Sequence, residues 1–214
     1  RINITKEVAE VFNVLTTHSR ETNFNNLLVA PTGLIKGVIY RINREIEHAK
    51  AGRPAGIVAK MNGLTDHEIM QSLYKASQAG VEIDLIIRGV CCLRAGLLGV
   101  SENIRVYSVI DRFLEHSRLY YFANGGQEEV WLGSADWMNR NLRSRVEVVF
   151  PIDDDSHKKR VFEELVTSTL TSKNKIREMQ PDGTYSHKNM INAKDKSKSV
   201  QQILIERAEK KSII

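Results

Sequence analysis

Apolar positions along the chain change their period several times, and those changes divide it into elements. Residues 3–16 carry Ile4, Val8, Val11, Phe12 and Leu15 at helical spacing. The polar string HSRETNFNN, residues 18–26, predicts a loop or linker. Residues 27–30 form a short apolar run of strand type. Residues 33–50 then place Ile35, Val38, Ile39, Ile42, Ile46 and Ala49 on one helical face. Residues 56–61 predict a second strand. Thr65 and Glu68 have capping-box spacing, which opens a helix that runs to about Ala79 and closes at Gly80. Residues 82–87 predict a third strand. This β-α-β-α-β order predicts parallel strands joined by crossover helices.

After residue 87 the strands follow one another more directly, at 105–110, 118–122, 130–133 and 145–150. The string ANGGQEE between two of them has hairpin-turn chemistry. Helical spacing returns at 157–170, with Asp153, Asp154 and Asp155 at the end where negative charge is favoured. The expected architecture is a mixed α/β sheet of about seven strands flanked by helices. Beyond Ser172 the chain is polar and lysine-rich until an amphipathic stretch at 200–211. Three segments are expected: a helix and linker over 1–26, a folded domain over 27–171, and a basic, partly disordered tail over 172–214. Removing that tail is expected to leave folding unaffected.

Composition narrows the class. Over 214 residues, 42% are hydrophobic and 27% charged, which fits a globular domain and excludes a disordered or collagen-like chain. The only cysteines, Cys91 and Cys92, are adjacent and cannot staple distant segments, so a reducing compartment is expected. No apolar run approaches the ~20 residues of a membrane span, and no signal-peptide pattern opens the chain. The first residue is Arg1, which suits a piece of a longer polypeptide. The formal net charge of +5 is local: residues 172–214 hold ten basic and five acidic residues, leaving 21 of each in residues 1–171. The folded part is therefore not a basic nucleic-acid binder, and no specific nucleic-acid partner is expected.

Candidate chemistry is concentrated between residues 76 and 157. GxxxxGK, GxGxxG, HExxH and CxxC are all absent, which removes most of the weight from P-loop, dinucleotide and zinc sites. His18, His48, His67, His157 and His187 stand among polar residues and read as solvated. His116 stands instead in DRFLEHSRLYYF, at the mouth of a strand, with Arg118 two residues on. From Ala76 to His157 there is no lysine but eight arginines, among them Arg88, Arg118 and Arg145. The planar guanidinium fork matches two phosphate oxygens, so this bias suits a polyanionic phosphate ligand; surface ion pairing is the competing reading for each arginine. The string GSADWMNRNL, residues 133–142, adds a Gly-Ser turn whose N–H groups and Ser134 hydroxyl could hold a phosphoryl oxygen, with Asn139 and Asn141 as amide donors.

A histidine, a basic residue two further on and a Gly-Ser turn one hairpin later resemble the half-site of the phospholipase D superfamily. More specifically, LLVAP, REIEHAKAGRPAGIVAKMNGLTD, LIIRGVCCLRAG, IDRFLEHSRLYYFANGG, WLGSADWMNRNL and RVEVVFPI together closely resemble the C-terminal part of bacterial polyphosphate kinases. The resemblance covers nearly everything except the tail. It implies the second of two phospholipase D-like halves, in an enzyme that moves the terminal phosphate of ATP reversibly onto inorganic polyphosphate, with magnesium. It places the phosphorylated histidine in the other half, outside this chain. It also implies ATP and ADP, polyphosphate, the rest of the same polypeptide and further copies of the enzyme as partners. The implied location is cytoplasmic, with a peripheral position at the inner membrane as the variant.

By the same resemblance, Arg88 in LIIRGV matches the arginine at the nucleotide phosphates, and His116 in EHSR matches the second essential histidine. Arg145 and Glu147 in RVEV match charged residues of the same cleft; Arg118, Ser134 and Asn141 are expected to support it. The carboxylate of neighbouring Glu115 is expected to help His116 exchange a proton. No protein metal ligand is expected. Against the wider superfamily, Arg118 replaces the usual lysine and Ala123 the usual aspartate, departures that count against phosphodiester hydrolysis. Two alternatives remain open here: a phospholipase D-like phosphodiesterase or nuclease, and a non-catalytic polyanion-binding module gripping nucleic acid with its lysine-rich tail.

Overall fold

The computed structural model describes residues 2–17, 24–172, 175–187 and 198–211. Part of the expected linker, with His18, and the middle of the expected tail lie outside the described residues. Helix α1 (Ile2–Thr17) packs through Val11 on Leu27 and Val29. Its Glu7 carboxylate accepts from the main-chain N–H groups of Asn25, Asn26 and Leu27, which ties the helix to the first strand.

The chain then runs β1 (Leu28–Ala30), α2 (Leu34–Lys50), β2 (Gly56–Met61), α3 (His67–Gln78), β3 (Glu82–Ile87) and β4 (Ile104–Val109). It continues through β5 (Leu119–Phe122), β6 (Glu129–Gly133), α4 (Asn139–Arg143) and β7 (Glu147–Ile152). A helical segment follows: α5 (Asp155–Phe162), a π-helical stretch (Glu163–Thr167) and α6 (Ser168–Thr171). Last come β8 (Ile176–Met179), β9 (Tyr185–His187) and α7 (Val200–Lys211).

Among the described residues, nine strands form one sheet in the order β1-β7-β6-β5-β2-β3-β4-β8-β9. Only β2, β3 and β4 pair in parallel; every other neighbour is antiparallel. The expected crossover pattern therefore holds for β2-α3-β3, whereas β1 is separated from β2 by the meander β5-β6-β7. Short connections let those three strands pair with their chain neighbours, and they fill the space that the first crossover spans.

Both sheet faces are covered, which explains the nearly continuous apolar run of β3. On one side Leu34, Val38 and Ile42 of α2 and Leu73 of α3 pack with Ile57, Ala59, Ile83 and Leu85. On the other, Val166 of the π-helical stretch covers Ile86, Tyr107, Leu119 and Val130. No described helix is long and apolar enough to cross a membrane.

Three expectations are corrected. The sheet has nine strands, not seven, because β8 and β9 lie in the segment expected to be a partly disordered tail. Its charge density conceals three apolar anchors: Ile176, Met179 and Val200 are all buried, and β8 pairs along β4. The charge step near residue 172 is thus no edge of the folded body. Finally, α3 is capped by Asp66 rather than Thr65: the Asp66 carboxylate accepts from Ile69 N at 3.1 Å, so the helix begins one residue later. At α5 the acidic run behaves as expected, with Asp154 accepting from His157 N at 2.9 Å.

Candidate active site at the strand ends

Register decides which polar residues meet. β2 and β3 pair in parallel with Met61 opposite Ile87, so the next residues, Asn62 and Arg88, emerge side by side. The ladder continues past the strand ends, with Arg88 N donating to Met61 O and Gly89 N to Asn62 O. A Cβ on Gly89 would lie 2.8 Å from that Asn62 carbonyl, so the close approach requires glycine. Arg88 Nε and Nη2 both donate to Asn62 Oδ1, at 3.1 and 2.7 Å. Its Nη1 has no partner among the described residues, and neither does Arg88 have a carboxylate.

β5 runs antiparallel to β2, so its amino end meets the carboxyl end of β2, and Arg118 stands just before it. Arg118 and Asp136 form an ion pair whose side chains are 10% and 8% exposed, with Nε–Oδ1 at 3.2 Å and Nη2–Oδ2 at 3.0 Å. The same Asp136 carboxylate accepts from Asn62 N at 2.7 Å and from Asn62 Nδ2. Arg118 Nη1 reaches His116 O at 2.9 Å and His116 Nδ1 at 2.8 Å. Arg118 Nη2 also lies 3.2 Å from His116 Nε2; arginine has donors only and a neutral imidazole one lone-pair nitrogen, so only one of the two ring nitrogens accepts from it at a time. One continuous chain of contacts therefore runs from His116 through Arg118, Asp136 and Asn62 to Arg88. Its two ends, both partly or fully exposed, are the residues singled out in the sequence.

Ser134, Asn141 and Glu147 form a second cluster at the same end of the strands, beside β6 and β7. The Ser134 hydroxyl donates to Glu147 Oε2, and Asn141 Nδ2 donates to Glu147 Oε1 at 2.6 Å. Ser134 N donates to Val148 O, because β6–β7 pairing continues through it. The Gly-Ser turn therefore does not present its Ser134 N–H and hydroxyl to a phosphate as expected; both are occupied. Gly133 is required for another reason: a Cβ there would lie 2.5 Å from Val148 O. This cluster supports that end of the strands from within. Arg145 precedes β7 rather than lying in it, is exposed, and joins neither cluster.

Glu115 also departs from expectation. Its carboxylate pairs with Lys60 Nζ at 2.8 Å and accepts from Ser117 N at 3.0 Å, not with the His116 ring. Burial pushes this carboxyl up, but the Lys60 ammonium and Ser117 outweigh it and hold it below the usual range. Lys60 and Arg88 also border a mostly apolar cavity of about 290 Å³, walled by Phe113, Leu165 and Leu204. Of the eight arginines, Arg105 pairs with Glu82 and Asp84, and Arg143 with Asp66 and Glu68, so the ion-pair reading holds for these.

Residues 27–201 match the family described as polyphosphate kinase C-terminal domain 2. The chain belongs to that family. A polyphosphate kinase of Thermosynechococcus vestitus is 52% identical over 179 residues, covering 84% of this chain and 24% of the relative. The crystal structure of polyphosphate kinase from Porphyromonas gingivalis superposes with a TM-score of 0.90 at 36% identity, over 99% of this chain and 32% of that one. The chain thus spans about a quarter to a third of these polyphosphate kinases. A phospholipase D family member, Nuc from Salmonella typhimurium, matches with a TM-score of 0.53 at 15% identity, covering 72% of this chain and 96% of its own, a likeness of fold. The polyphosphate kinase domain thus has a mixed α/β, phospholipase D-like architecture. Sequence reasoning missed Asn62 and Asp136, which join the two expected residues; the in-register β2–β3 pairing is the signal that would have found Asn62.

Proposed function

We propose that this chain is the second catalytic part of a polyphosphate kinase, which transfers the terminal phosphate of ATP reversibly to inorganic polyphosphate. The observation that supports it most is the state of Arg88. One edge of its guanidinium is fixed on Asn62 and the other is unpartnered among the described residues, within one hydrogen-bonded chain of His116. A fork held in this way is oriented before a phosphate arrives, which limits the ordering cost of binding.

In the proposed reaction a histidine nitrogen in the remainder of the polypeptide attacks the γ-phosphorus of ATP. The P–O bond to ADP breaks as the N–P bond forms, and a terminal polyphosphate oxygen later displaces the histidine. Arg88 neutralises charge on the transferring phosphoryl group. His116, whose two ring nitrogens both face Arg118, turns one of them to that group and donates a hydrogen bond to it or exchanges a proton with it. Magnesium enters with ATP as part of the substrate. Asp136, Glu115 and Glu147 are each engaged by protein donors, so the phosphate oxygens rather than these carboxylates would carry the ion. Further copies of the enzyme and a cytoplasmic setting belong to the same reading.

The test is a pulse of γ-labelled ATP given to the complete polypeptide, followed by a chase with unlabelled polyphosphate. Label should appear on protein and then move into polyphosphate. Protein that neither labels nor elongates polyphosphate would overturn the reading.

A further inference from the structure

His116 sits near the end of a long connection, residues 110–118, which joins β4 to β5 without regular secondary structure. Its far end is secured by the Lys60–Glu115 pair and by Arg118. Its middle is held by residues much later in the chain. Phe113 N donates to Gln201 Oε1 at 2.8 Å, and Gln201 Nε2 donates back to Phe113 O at 2.8 Å. One side-chain amide thus satisfies both main-chain groups of one loop residue, as a neighbouring strand would. Two residues before it, the Asp111 carboxylate, 4% exposed, pairs with Lys175 Nζ at 2.5 Å.

The element that supplies Gln201 is itself well fixed. Ser199 and Gln202 make a reciprocal cap: Gln202 N donates to Ser199 Oγ, and Ser199 N donates to Gln202 Oε1 at 2.8 Å. Val200 is buried, and Leu204 forms a wall of the cavity beside Arg88. Arg207 donates to Ser168 Oγ of α6 at 3.3 Å, on the same face of the sheet. Phe113 is otherwise exposed, as are Ile110 and Leu114, so loop burial alone does not hold this stretch.

We propose that Gln201 is a positioning residue for His116: its amide clips the main chain of Phe113 and restricts the loop that carries the histidine. A catalytic group displaced by about 1 Å loses on the order of a hundredfold in rate. A two-point main-chain clip on its loop is therefore a lever on turnover. Arg88 leaves the end of β3 and is not on that loop, so nucleotide affinity should not follow. The kinetic part of this proposal rests on the function proposed above.

Gln201→Met decides between clip and packing, because methionine keeps the length and apolar contact but neither donates nor accepts strongly. In the complete enzyme, Gln201→Met and Gln201→Ala should both speed amide exchange at residues 111–117 by about tenfold, the loss of two hydrogen bonds. They should lower kcat by about tenfold while the KM for ATP stays within about twofold. A melting transition close to that of the unsubstituted protein will show that the fold survives. Unchanged exchange at 111–117, or full turnover in the Met variant, overturns the proposal. If the unsubstituted enzyme transfers no phosphate at all, the proposed function fails, and exchange alone then decides whether Gln201 holds the loop.

Discussion

Arg88 is oriented by a neutral partner, Asn62, whose single amide oxygen accepts from two N–H groups on one edge of the guanidinium while its nitrogen donates to Asp136. The difference from a carboxylate partner is substantial. An aspartate there would neutralise the arginine and compete with an incoming phosphate, whereas an amide fixes direction and leaves the charge intact. Asn62 thus couples an arginine with full charge to a buried ion pair without becoming part of either.

Removing that coupling should show in both stability and rate. Asn62→Ala takes the side-chain amide away from Asp136, which keeps Arg118 and the main-chain N–H of residue 62, and it releases Arg88 into several rotamers. A loss of about 0.5–1.5 kcal/mol is expected from the missing Asn62 side-chain hydrogen bonds, because both Asp136 oxygens keep a donor. Phosphate transfer by the complete enzyme should fall roughly tenfold or more. Chemical denaturation and initial-rate measurements check the two effects; a stable variant with full turnover would show that Arg88 needs no guide.

Arg88→Lys keeps the charge and changes its shape. A lysine cannot engage Asn62 through one edge and a phosphate through another. Turnover should drop by about one to two orders of magnitude, with little change in melting temperature because position 88 is half-exposed. Unchanged ATP turnover would reduce Arg88 to a local charge.

Asp111 predicts a pH dependence of stability. Burial pushes its carboxyl up, but the Lys175 ammonium beside it prevails and leaves it below the usual carboxylate range. A carboxyl lowered in the folded state stabilises fully above its unfolded value and loses that contribution as pH falls through its folded value. Asp111→Asn should therefore melt below the unsubstituted protein at pH 7, and the gap should close under acid conditions. Melts between pH 7 and pH 2 test this. A gap constant with pH would mean that the lost interaction is not the ionised one.

Much of this fold was legible before any coordinates. Alternating apolar runs and helical faces located β1 to β7 within a few residues, and motif likeness picked out Arg88 and His116. The unread parts have physical reasons. Asn62 and Asp136 acquire their roles from register, which places residues far apart in sequence beside one another. β8 is a short strand among lysines, and its IREM string buries only Ile176 and Met179 deeply, so composition masks it. The Ser199–Gln202 cap was readable in SVQQ, as good a start signal as the Thr65–Glu68 spacing that misplaced α3 by one residue.

The C-terminal segment should consequently matter to folding. A chain ending at residue 172 loses Ile176, Met179 and Val200 and bares the edge of β4. Three buried apolar side chains at about 1.5–3 kcal/mol each suggest a loss of roughly 5 kcal/mol or more. Thermal melts of the truncated and intact chains measure it. Equal melting temperatures would mean that β8 and α7 are only loosely placed on the body.

His116→Ala separates chemistry from architecture most sharply. The ring is exposed, and its recorded partner is Arg118, which keeps Asp136 and the His116 carbonyl as acceptors after truncation. No buried group is therefore left unsatisfied, and the melting curve should shift by only a degree or two. A structural histidine would behave in the opposite way, with a cost of roughly 1–3 kcal/mol and full activity in the surviving folded fraction. As the group proposed to meet the transferring phosphoryl, His116 should instead take about two or more orders of magnitude from turnover. Labelling with γ-labelled ATP refines the outcome, because the phosphorylated histidine is proposed to lie in the remainder of the polypeptide. Slow labelling would place His116 in the first transfer. Rapid labelling with slow release to polyphosphate would place it in the second. Normal rates for both steps would remove His116 from the mechanism and leave Arg88 as the one residue here that meets phosphate.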